Sequence, residues 1–396
     1  MENFNSLGLN KDIIRNLTNL KLIKPTPIQS KAIEPALKGR DILGSAHTGT
    51  GKTAAFGIPL IQKLIENRKL SALILTPTRE LANQVHLSIL DILGKKINIK
   101  STLIIGGESM NKQVNQLKIF PRIIIGTPGR INDHLVRGNL RLDRTRFLVL
   151  DEMDRMLDMG FRIQIEKILR FLPKIKQTLL FSATFPKNIK KITEKYLHNP
   201  ISISVDEQST ILKKINHEII QLNQNEKYEK LISIIKERHG SILIFMKTKY
   251  SSKKMSSKLK NEGFSVNAIH GDLKQSQRDI VLKKYRDKKY KILVATDIAA
   301  RGLDIAHIEH VVNYDLPQKS EDYIHRIGRT ARAGARGEAI CFITPNDKKN
   351  WNSIDKLINP SHQNRNRSDD IFKNKKTKNR NLSKKRFLKF KKKINR

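Results

Sequence analysis

The sequence has almost no cysteine and no long apolar segment. The single cysteine, Cys341, excludes a disulfide framework and a zinc site built from cysteine pairs. No apolar run approaches the roughly 18 residues that a membrane-spanning helix needs. The first six residues also lack the basic and apolar regions of a secretion signal. We therefore expect a soluble protein of a reducing compartment, the cytoplasm.

Acidic residues are scarce relative to basic ones. The 396 residues include 77 Lys or Arg but only 37 Asp or Glu, which gives a formal net charge of +40 at pH 7. An excess of this size indicates a polyanionic partner, either nucleic acid or an anionic membrane surface. Hydrophobic residues make up 38% of the chain, so part of it can bury hydrophobic cores.

Short apolar runs alternate with helical patterns between about residues 28 and 205. The runs are continuous rather than alternating, which is typical of strands covered on both faces in a parallel sheet. Helical patterns at 79–93 and 162–171 fall between them. The alternation predicts an α/β doubly wound domain. The apolar runs lie at 41–44, 72–75, 123–125, 147–150 and 178–181.

The alternation stops at a polar connector and then resumes. Residues 207–216 are the predicted linker between a first domain, 1–206, and a second α/β domain, 217–350. Residues 351–396 are predicted to form a basic, disordered tail. Within its last part, 361–396, there are 15 Lys or Arg and 2 Asp, a net charge of +13, and the apolar residues follow no period.

A segment rich in glycine and threonine follows the first predicted strand and precedes a helical stretch. Glycines let backbone N–H groups surround phosphate oxygens, and a helix N-terminus adds positive potential. Lys52 can neutralise the β- and γ-phosphates, and the Thr53 hydroxyl can ligate Mg²⁺. The strand and helix on either side favour a nucleotide site over a plain turn. The segment consists of Ala46, His47, Thr48, Gly49, Thr50, Gly51, Lys52 and Thr53, with Ala46 where a first glycine is usual.

Carboxylates follow another predicted buried strand, at 147–150. In an open α/β sheet, ligands bind at the carboxyl edge of the strands. Asp151 can hold Mg²⁺ through water, and Glu152 can polarise the water that attacks the phosphate. Taken by itself, the pair could be a solvated acidic turn. Together with Lys52, it predicts a Mg²⁺-dependent nucleoside triphosphatase.

Many short motifs occur in the order typical of one enzyme family. Over about residues 4–345 the sequence resembles the DEAD-box ATP-dependent RNA helicases of helicase superfamily 2. Residues 155–161 and the compact length are most similar to the bacterial RhlE-like subgroup. The motifs are Pro-Thr-Pro-Ile-Gln at 25–29, the loop at 46–53, Pro-Thr-Arg-Glu-Leu at 77–81, Gly-Gly at 106–107, Thr-Pro-Gly-Arg at 127–130, Asp-Glu-Met-Asp at 151–154, Ser-Ala-Thr at 182–184, His-Gly-Asp at 270–272, Gln-Ser-Gln-Arg at 275–278, Ala-Thr-Asp at 295–297, Arg-Gly-Leu-Asp at 301–304 and His-Arg-Ile-Gly-Arg-Thr-Ala-Arg at 325–332.

The resemblance implies two tandem RecA-like, doubly wound parallel-sheet domains that close on ATP and single-stranded RNA. It implies an enzyme that hydrolyses ATP to ADP and phosphate, a hydrolase acting on acid anhydrides, with ATP and Mg²⁺ as cofactors. RNA would stimulate hydrolysis, which would drive local duplex unwinding or remodelling of RNA–protein complexes. RNA binding would be largely independent of sequence. Ribosomal precursors and the RNA-decay machinery are both open as partners, and a membrane partner is not expected.

The resemblance also assigns roles around the nucleotide. Gln29 would read adenine, Phe4 would stack on the base, and Asp304 would contact the ribose. Arg326 and Arg329 resemble arginine fingers that reach the γ-phosphate from the second domain. The residues that would couple hydrolysis to strand separation are Asp154, Ser182, Thr184 and His325.

The residues that resemble the family's RNA contacts are small or basic. Small residues and backbone amides suit contacts to phosphate and sugar, which carry no base sequence. For any one of them considered separately, an ordinary turn is the better explanation, and the functional assignment rests on the resemblance. The set consists of Arg79, Gly107, Thr127, Gly129, Arg130, Thr248, Gly271, Arg278 and Thr296.

The sequence departs from the family pattern at Met153, which replaces the alanine of the family name. We expect this side chain to point into the domain, where a flexible methionine can be accommodated, and to leave hydrolysis intact. Lys21 and Leu22 stand where glycine and an aromatic residue are usual, which weakens the prediction for adenine.

The tail interleaves Phe372, Phe387 and Phe390 with runs of lysine and arginine. Base stacking and counterion release would make it a nonspecific RNA tether, with a merely solubilising tail as the alternative. Membrane binding is less favoured because no amphipathic helical stripe accompanies the charge. Two other hypotheses for the function of the whole protein stay open: a DNA translocase or other enzyme of the same superfamily, and an ATP-gated RNA clamp that does not hydrolyse ATP.

Overall fold

The computed structural model contains two units, each built on a parallel sheet. It describes residues 3–46, 49–182, 193–205, 215–300, 305, 307–331 and 337–359. We refer to residues 3–205 as domain one and residues 215–359 as domain two. None of the helices in these ranges is long and apolar enough to cross a membrane.

Domain one contains a sheet of seven described strands in the order β3-β4-β2-β5-β6-β1-β7, and every neighbouring pair is parallel. The strands are β1 (Ile42–Ser45), β2 (Ser71–Leu75), β3 (Ser101–Ile104), β4 (Ile123–Gly126), β5 (Thr145–Leu150), β6 (Gln177–Ser182) and β7 (Ile201–Ser204). The helices are α1 (Lys11–Asn19), α2 (Pro27–Leu37), α3 (Lys52–Glu66), α4 (Arg79–Leu93), α5 (Met110–Lys118), α6 (Pro128–Val136), α7 (Met153–Asp158) and α8 (Arg162–Phe171).

The two faces of this sheet are covered by different hydrophobic clusters. Ile74 and Val149 pack in one cluster, while their chain neighbours Leu73 and Leu148 pack in the other. Successive side chains of a strand point to opposite faces, so burial on both faces requires a continuous apolar run. The predicted α/β doubly wound architecture is confirmed, and its continuous apolar runs are the reason it could be predicted.

Domain two is also built on a parallel sheet. Its six described strands lie in the order β10-β11-β9-β12-β13-β8. The strands are β8 (Ile215–Gln221), β9 (Ser241–Phe245), β10 (Val266–Ile269), β11 (Ile292–Ala295), β12 (Ile308–Asn313) and β13 (Gly337–Ile343). The helices are α9 (Lys227–Glu237), α10 (Lys249–Asn261), α11 (Gln275–Arg286), α12 (Asp297–Ala300), α13 (Ser320–Ile327) and α14 (Lys348–Ile358).

The predicted domain limits need two corrections. Strand β8 begins at Ile215, inside the predicted linker 207–216, and pairs along β13. Helix α14 extends to Ile358, whereas the tail was predicted to start at 351. Trp351 packs edge-on against Tyr323 of α13, with ring centroids 6.0 Å apart, and Ile354 is buried. Residues 351–358 therefore belong to a helix that tertiary packing stabilises, and not to the basic tail. Residues 360–396 lie outside the described ranges.

Candidate functional site

The described residues between β1 and α3 include two glycines with positive φ, Gly49 and Gly51, and lead into the N-terminus of α3. Gly51 has a φ of +88°, a conformation that glycine adopts readily, and a Cβ atom there would lie 2.4 Å from Gln29 Nε2. Helix α3 begins at Lys52, so its unpaired backbone N–H groups face the loop. Of the other predicted loop residues, the structure describes Ala46, Gly49, Thr50 and Thr53, whereas His47 and Thr48 lie outside the described ranges.

Lys52 and Asp151 form a buried ion pair at the carboxyl edge of the sheet. The Lys52 Nζ atom lies 3.5 Å from Asp151 Oδ1, and the two side chains are only 6% and 3% exposed. Burial on its own lowers the pKa of Lys52, but the neighbouring carboxylates, Asp151 first, raise it above its ordinary value. The lysine therefore stays charged without solvent, which suits a group that neutralises phosphate.

Glu152 occupies a strained position beside this pair. Its φ is +51°, and its backbone N–H donates to Asp151 Oδ1 at 3.0 Å. Burial raises the pKa of Glu152, and the Asp151 carboxylate adds to the rise. The positive charges of Lys52, Arg329 and Arg155 act in the opposite direction. Non-glycine residues held at positive φ are concentrated at functional sites, because the surrounding structure must offset the strain.

The two residues assigned to the base are both buried. Gln29 accepts a hydrogen bond from the Thr26 N–H at 2.9 Å and donates one to the Gly51 carbonyl at 3.1 Å. Its carboxamide therefore ties α2 to the phosphate loop. Phe4 is 3% exposed and belongs to the core of domain one. Their contacts with adenine remain predictions, and Asp304 lies outside the described residues.

Of the two predicted arginine fingers, Arg326 is held within domain two. Its guanidinium is 1% exposed and makes a two-pronged contact to Asp297, at 2.6 and 2.8 Å. It also lies over the Phe245 ring, 4.8 Å from the centroid. Arg329 is also buried, donates to the His325 carbonyl at 3.1 Å and acts electrostatically on Glu152 in domain one. Of the two predicted fingers, Arg329 is therefore the one whose charge acts on Glu152 of the other domain.

A cleft of about 460 Å³ lies between the carboxyl edges of the two sheets. It brings together six of the nine residues predicted to contact RNA, three of them arginines. Gly107 adjoins it: its φ of +86° favours glycine, and a Cβ atom there would also lie 2.5 Å from Arg79 Nη1. Thr248 precedes α10 and Thr296 precedes α12, and neither lines the cleft. The six are Arg79, Thr127, Gly129, Arg130, Gly271 and Arg278.

Two of these arginines are held by side chains that the sequence reasoning did not single out. Arg278 Nε donates to Glu80 Oε1 of domain one at 2.7 Å, in a buried ion pair. Arg79 Nη1 donates to Gln275 Oε1 of domain two at 3.2 Å. Glu80 and Gln275 lie within recognised motifs, at 77–81 and 275–278, and position in a motif was the only signal that could have found them.

Arg130 is positioned by a third such side chain, Gln113 of α5. Gln113 is fully buried, and its Oε1 accepts from Arg130 Nε at 2.8 Å and lies 2.9 Å from His134 Nε2. Its Nε2 donates to the Ile105 carbonyl at 2.8 Å. The amide thus fixes the direction of Arg130. No pattern in the sequence indicated this role.

Of the residues predicted to couple hydrolysis to strand separation, Asp154 and Ser182 lie in domain one and His325 lies in domain two. The Asp154 N–H donates to Ser182 Oγ at 3.2 Å, which joins α7 to the end of β6. His325 Nδ1 of α13 lies 3.9 Å from Asp322 Oδ1. Thr184 lies outside the described residues, and its role in coupling stays a prediction.

Met153 points into domain one, as expected. It is 0% exposed and belongs to the hydrophobic cluster that covers one face of the sheet. We predict that Met153→Ala changes ATP turnover less than about three-fold, because the carboxylates on either side are fixed by the end of β5 and the start of α7. Truncation of a buried methionine costs about 2–5 kcal/mol of stability, so thermal unfolding should be measured beside turnover. A many-fold rise in turnover would contradict this account.

Two family models match the chain. Residues 26–192 match a model described as DEAD/DEAH box helicase, and residues 226–334 match one described as Helicase conserved C-terminal domain. A curated relative, the DEAD-box ATP-dependent RNA helicase CshA of Geobacillus kaustophilus, is 41% identical over 349 residues. That match covers 88% of this chain and 74% of the relative.

Solved structures agree with this assignment. Saccharomyces cerevisiae Dbp5 bound to RNA and ADP BeF3 is 33% identical, and the alignment covers 91% of this chain and 94% of that one with a TM-score of 0.82. A DEAD box protein from Methanococcus jannaschii is 42% identical and covers 90% of this chain and 97% of its own, with a TM-score of 0.52. With both sheets RecA-like and its motifs in order, the chain belongs to the DEAD-box ATP-dependent RNA helicases, which are ATPases.

Proposed function

We propose that the two domains close on ATP, Mg²⁺ and one RNA strand, and that hydrolysis separates short RNA duplexes locally or remodels RNA–protein complexes. The observation that carries the proposal is the charge arrangement around Glu152. Lys52 of domain one, which pairs with Asp151, and Arg329 of domain two both act electrostatically on it. Phosphoryl transfer is catalysed by positioning and by neutralising charge, so a site divided between two domains is active only when they close.

Mg²⁺ fits the donors available at this site. Asp151 and Thr53 offer hard oxygen ligands beside Lys52. Mg²⁺ is normally held by one or two carboxylates together with phosphate oxygens and several waters. In the described residues, no group of three or more His, Cys, Asp or Glu side chains forms an all-protein metal cage. When bound, the ion would neutralise charge on the β- and γ-phosphates, while Glu152 would orient the attacking water.

The cleft suits an RNA backbone better than base edges. Its lining combines arginines with glycines and with the N-terminal turns of α4 and α6, where backbone N–H groups are unpaired. These groups bind phosphate and sugar and carry no sequence preference. Binding largely independent of sequence follows, while Arg79 and Arg278 would also tie the domains together.

The comparison of solved structures supports a closed arrangement. The Methanococcus jannaschii protein has the higher sequence identity, yet its TM-score is much lower than that of Dbp5 with RNA and ADP BeF3. A low TM-score at this sequence identity indicates that the two domains are placed differently in the Methanococcus jannaschii structure and in this chain. Domain placement in this chain is therefore similar to that in a nucleotide- and RNA-bound relative.

Finer assignments remain predictions. The RhlE-like subgroup rests on residues 155–161 and on compact length, whereas the relative described above is named CshA. A cytoplasmic location and a part in ribosome assembly or RNA decay follow from the family resemblance.

The direct test is ATP turnover with no nucleic acid, with RNA and with DNA of the same sequence. We expect low turnover without nucleic acid, strong stimulation by RNA and weak stimulation by DNA, because ribose 2′-OH groups distinguish the two. Stimulation by DNA alone would favour the DNA translocase. Complete absence of turnover with every nucleic acid would favour the clamp.

The tail offers a separate prediction. Residues 361–396 carry a net charge of +13, and their removal should weaken RNA binding. The logarithm of the RNA association constant should also fall less steeply with the logarithm of the salt concentration, because fewer counterions are released. Fluorescence anisotropy at several salt concentrations measures both. The matched control replaces Phe372, Phe387 and Phe390 by alanine, which removes stacking and keeps the charge. An unchanged salt slope after truncation would exclude the tether.

A further inference from the structure

Helices α7 and α13 come from different domains and are joined by a buried ion pair. Arg155 Nη1 of α7 donates to Asp322 Oδ1 of α13, and the two side chains are 5% and 10% exposed. The partners are 167 positions apart in the sequence. Asp322, like Arg155, lay outside the predicted set of functional residues.

The position of this pair is significant because both partners adjoin the catalytic groups. Arg155 follows Asp154 directly and lies near enough to Glu152 for their charges to interact. Asp322 precedes Arg326 by four residues on α13, so the two share one face of the helix. The pair and Arg329 line a cavity of about 10 Å³, which is room for about one water molecule. The pair therefore lies in a nearly dry contact between the domains.

We propose that Arg155 and Asp322 form a positioning contact, which sets the docking of α13 on α7 and thereby places Arg329 beside the nucleotide. This inference rests on the proposed function, since it assigns a positioning role at the same ATP site. Neither residue touches the phosphates in this account. Their effect on hydrolysis passes through the placement of α13.

The energetics of a buried pair between domains differ from those of a pair within one domain. Neutralising Asp322 takes from the buried Arg155 the carboxylate that contributes most to its charged state, while Glu152 and Asp154 contribute less. Loss of the main partner of a buried charge is strongly unfavourable. When the domains separate, water solvates both Arg155 and Asp322. Loss of the pair therefore disfavours closure and leaves the folding of each domain unchanged.

Asp322→Asn tests the inference, because it removes the charge and keeps the shape. We expect the RNA-stimulated kcat to fall at least about ten-fold, given how costly an unpaired buried charge is. Affinity for a fluorescent ADP analogue without RNA should stay within two-fold, because the phosphate loop belongs to domain one. The melting temperature should not change. Asp322→Glu, which keeps the charge, should retain most of the turnover.

A double variant separates the pair from effects of Arg155 alone. Arg155→Met combined with Asp322→Asn removes the unpaired charge, so the two changes should be strongly coupled. The double variant should be no slower than the slower single variant. If the two losses multiply instead, the residues act independently and the positioning contact is excluded.

Asp158, the last residue of α7, and Lys319, the residue before α13, supply a matched control. Lys319 Nζ lies 2.5 Å from Asp158 Oδ1, and these side chains are 56% and 31% exposed. Exposed pairs contribute little, because water screens them. Lys319→Gln should therefore change the RNA-stimulated kcat less than two-fold. An equal loss in both variants would show a general charge effect and overturn the inference.

Closure can be measured directly, since the chain has one cysteine. Burial raises the pKa of the Cys341 thiol to about 12, so it reacts poorly with maleimides. Ile175→Cys in domain one and Lys260→Cys in domain two provide exposed labelling positions. Energy transfer between the two dyes should change with RNA and a nonhydrolysable ATP analogue, and this change should be much smaller with Asp322→Asn.

The outcomes distinguish this inference from the proposed function. If the wild-type protein shows no RNA-stimulated turnover, the proposed function fails. If the wild type is active and Asp322→Asn keeps turnover and closure within two-fold, only the positioning contact fails. A fall in melting temperature with normal closure would assign the pair to stability and likewise overturn the inference.

Discussion

Glu152→Gln should abolish ATP hydrolysis and leave ATP binding intact. Glutamine keeps the size of the side chain but cannot accept a proton from the attacking water. General base catalysis contributes about 10²–10⁴-fold to a rate, so turnover should fall to the background of the assay. Binding depends instead on the phosphate loop and Lys52, which the substitution leaves in place. Phosphate release measures turnover, and titration with a fluorescent ATP analogue measures affinity.

The matched control for this prediction is Glu34→Gln. Glu34 is an exposed glutamate of α2 that pairs with Lys38 at 2.7 Å. The same chemical change there should leave both turnover and affinity within two-fold of the wild type. Retention of wild-type turnover in Glu152→Gln would mean that the water is activated elsewhere. Loss of binding would mean that Glu152 supports the loop itself.

Lys52→Ala should abolish hydrolysis and also weaken ATP binding. Hydrogen bonds between charged groups contribute about 1.5–3 kcal/mol each, so losing the contact to the β- and γ-phosphates should weaken binding about ten- to a hundred-fold. In addition, Asp151 and Glu152 would lose the cation that compensates their buried charges. The same two assays measure this variant, with melting temperature recorded because an unpaired buried carboxylate destabilises the fold.

Lys63 on the same helix provides the control. Its Nζ atom lies 3.1 Å from Glu66 at the solvent-exposed end of α3, and Lys63→Ala should leave turnover and affinity within two-fold. Binding of ATP by Lys52→Ala with wild-type affinity would place the triphosphate outside this loop. Normal hydrolysis in that variant would contradict the proposed site altogether.

The architecture followed from local patterns in the sequence. Continuous apolar runs at 72–75 and 147–150 became β2 and β5, because strands buried on both faces must be apolar at every position. The helical patterns at 79–93 and 162–171 became α4 and α8 with the same limits. The loop before α3 and the carboxylates after β5 were also predictable, since each is a short motif attached to one strand end.

Other features depended on packing between distant segments. Most of helix α14 was assigned to the tail, whose predicted disorder rests on the composition of 361–396, yet Ile354 is buried and Trp351 packs against Tyr323 of domain two. The role of Arg326 at the γ-phosphate stays a prediction from the resemblance, and its two-pronged contact to Asp297 was visible only in the structure. Composition and the order of motifs do not indicate which helix α14 packs against or which carboxylate pairs with Arg326.

The amino-acid sequence alone predicted the buried strands, the phosphate loop after β1 and the carboxylate pair after β5. Each of these is encoded by a few consecutive residues, and the carboxyl ends of parallel strands lie at one edge of the sheet. The sequence did not reveal the contacts between the domains, in which Arg155 meets Asp322 and Arg278 meets Glu80. Such contacts depend on how two separately folded bodies dock, and residues far apart in the chain carry no local pattern for that placement.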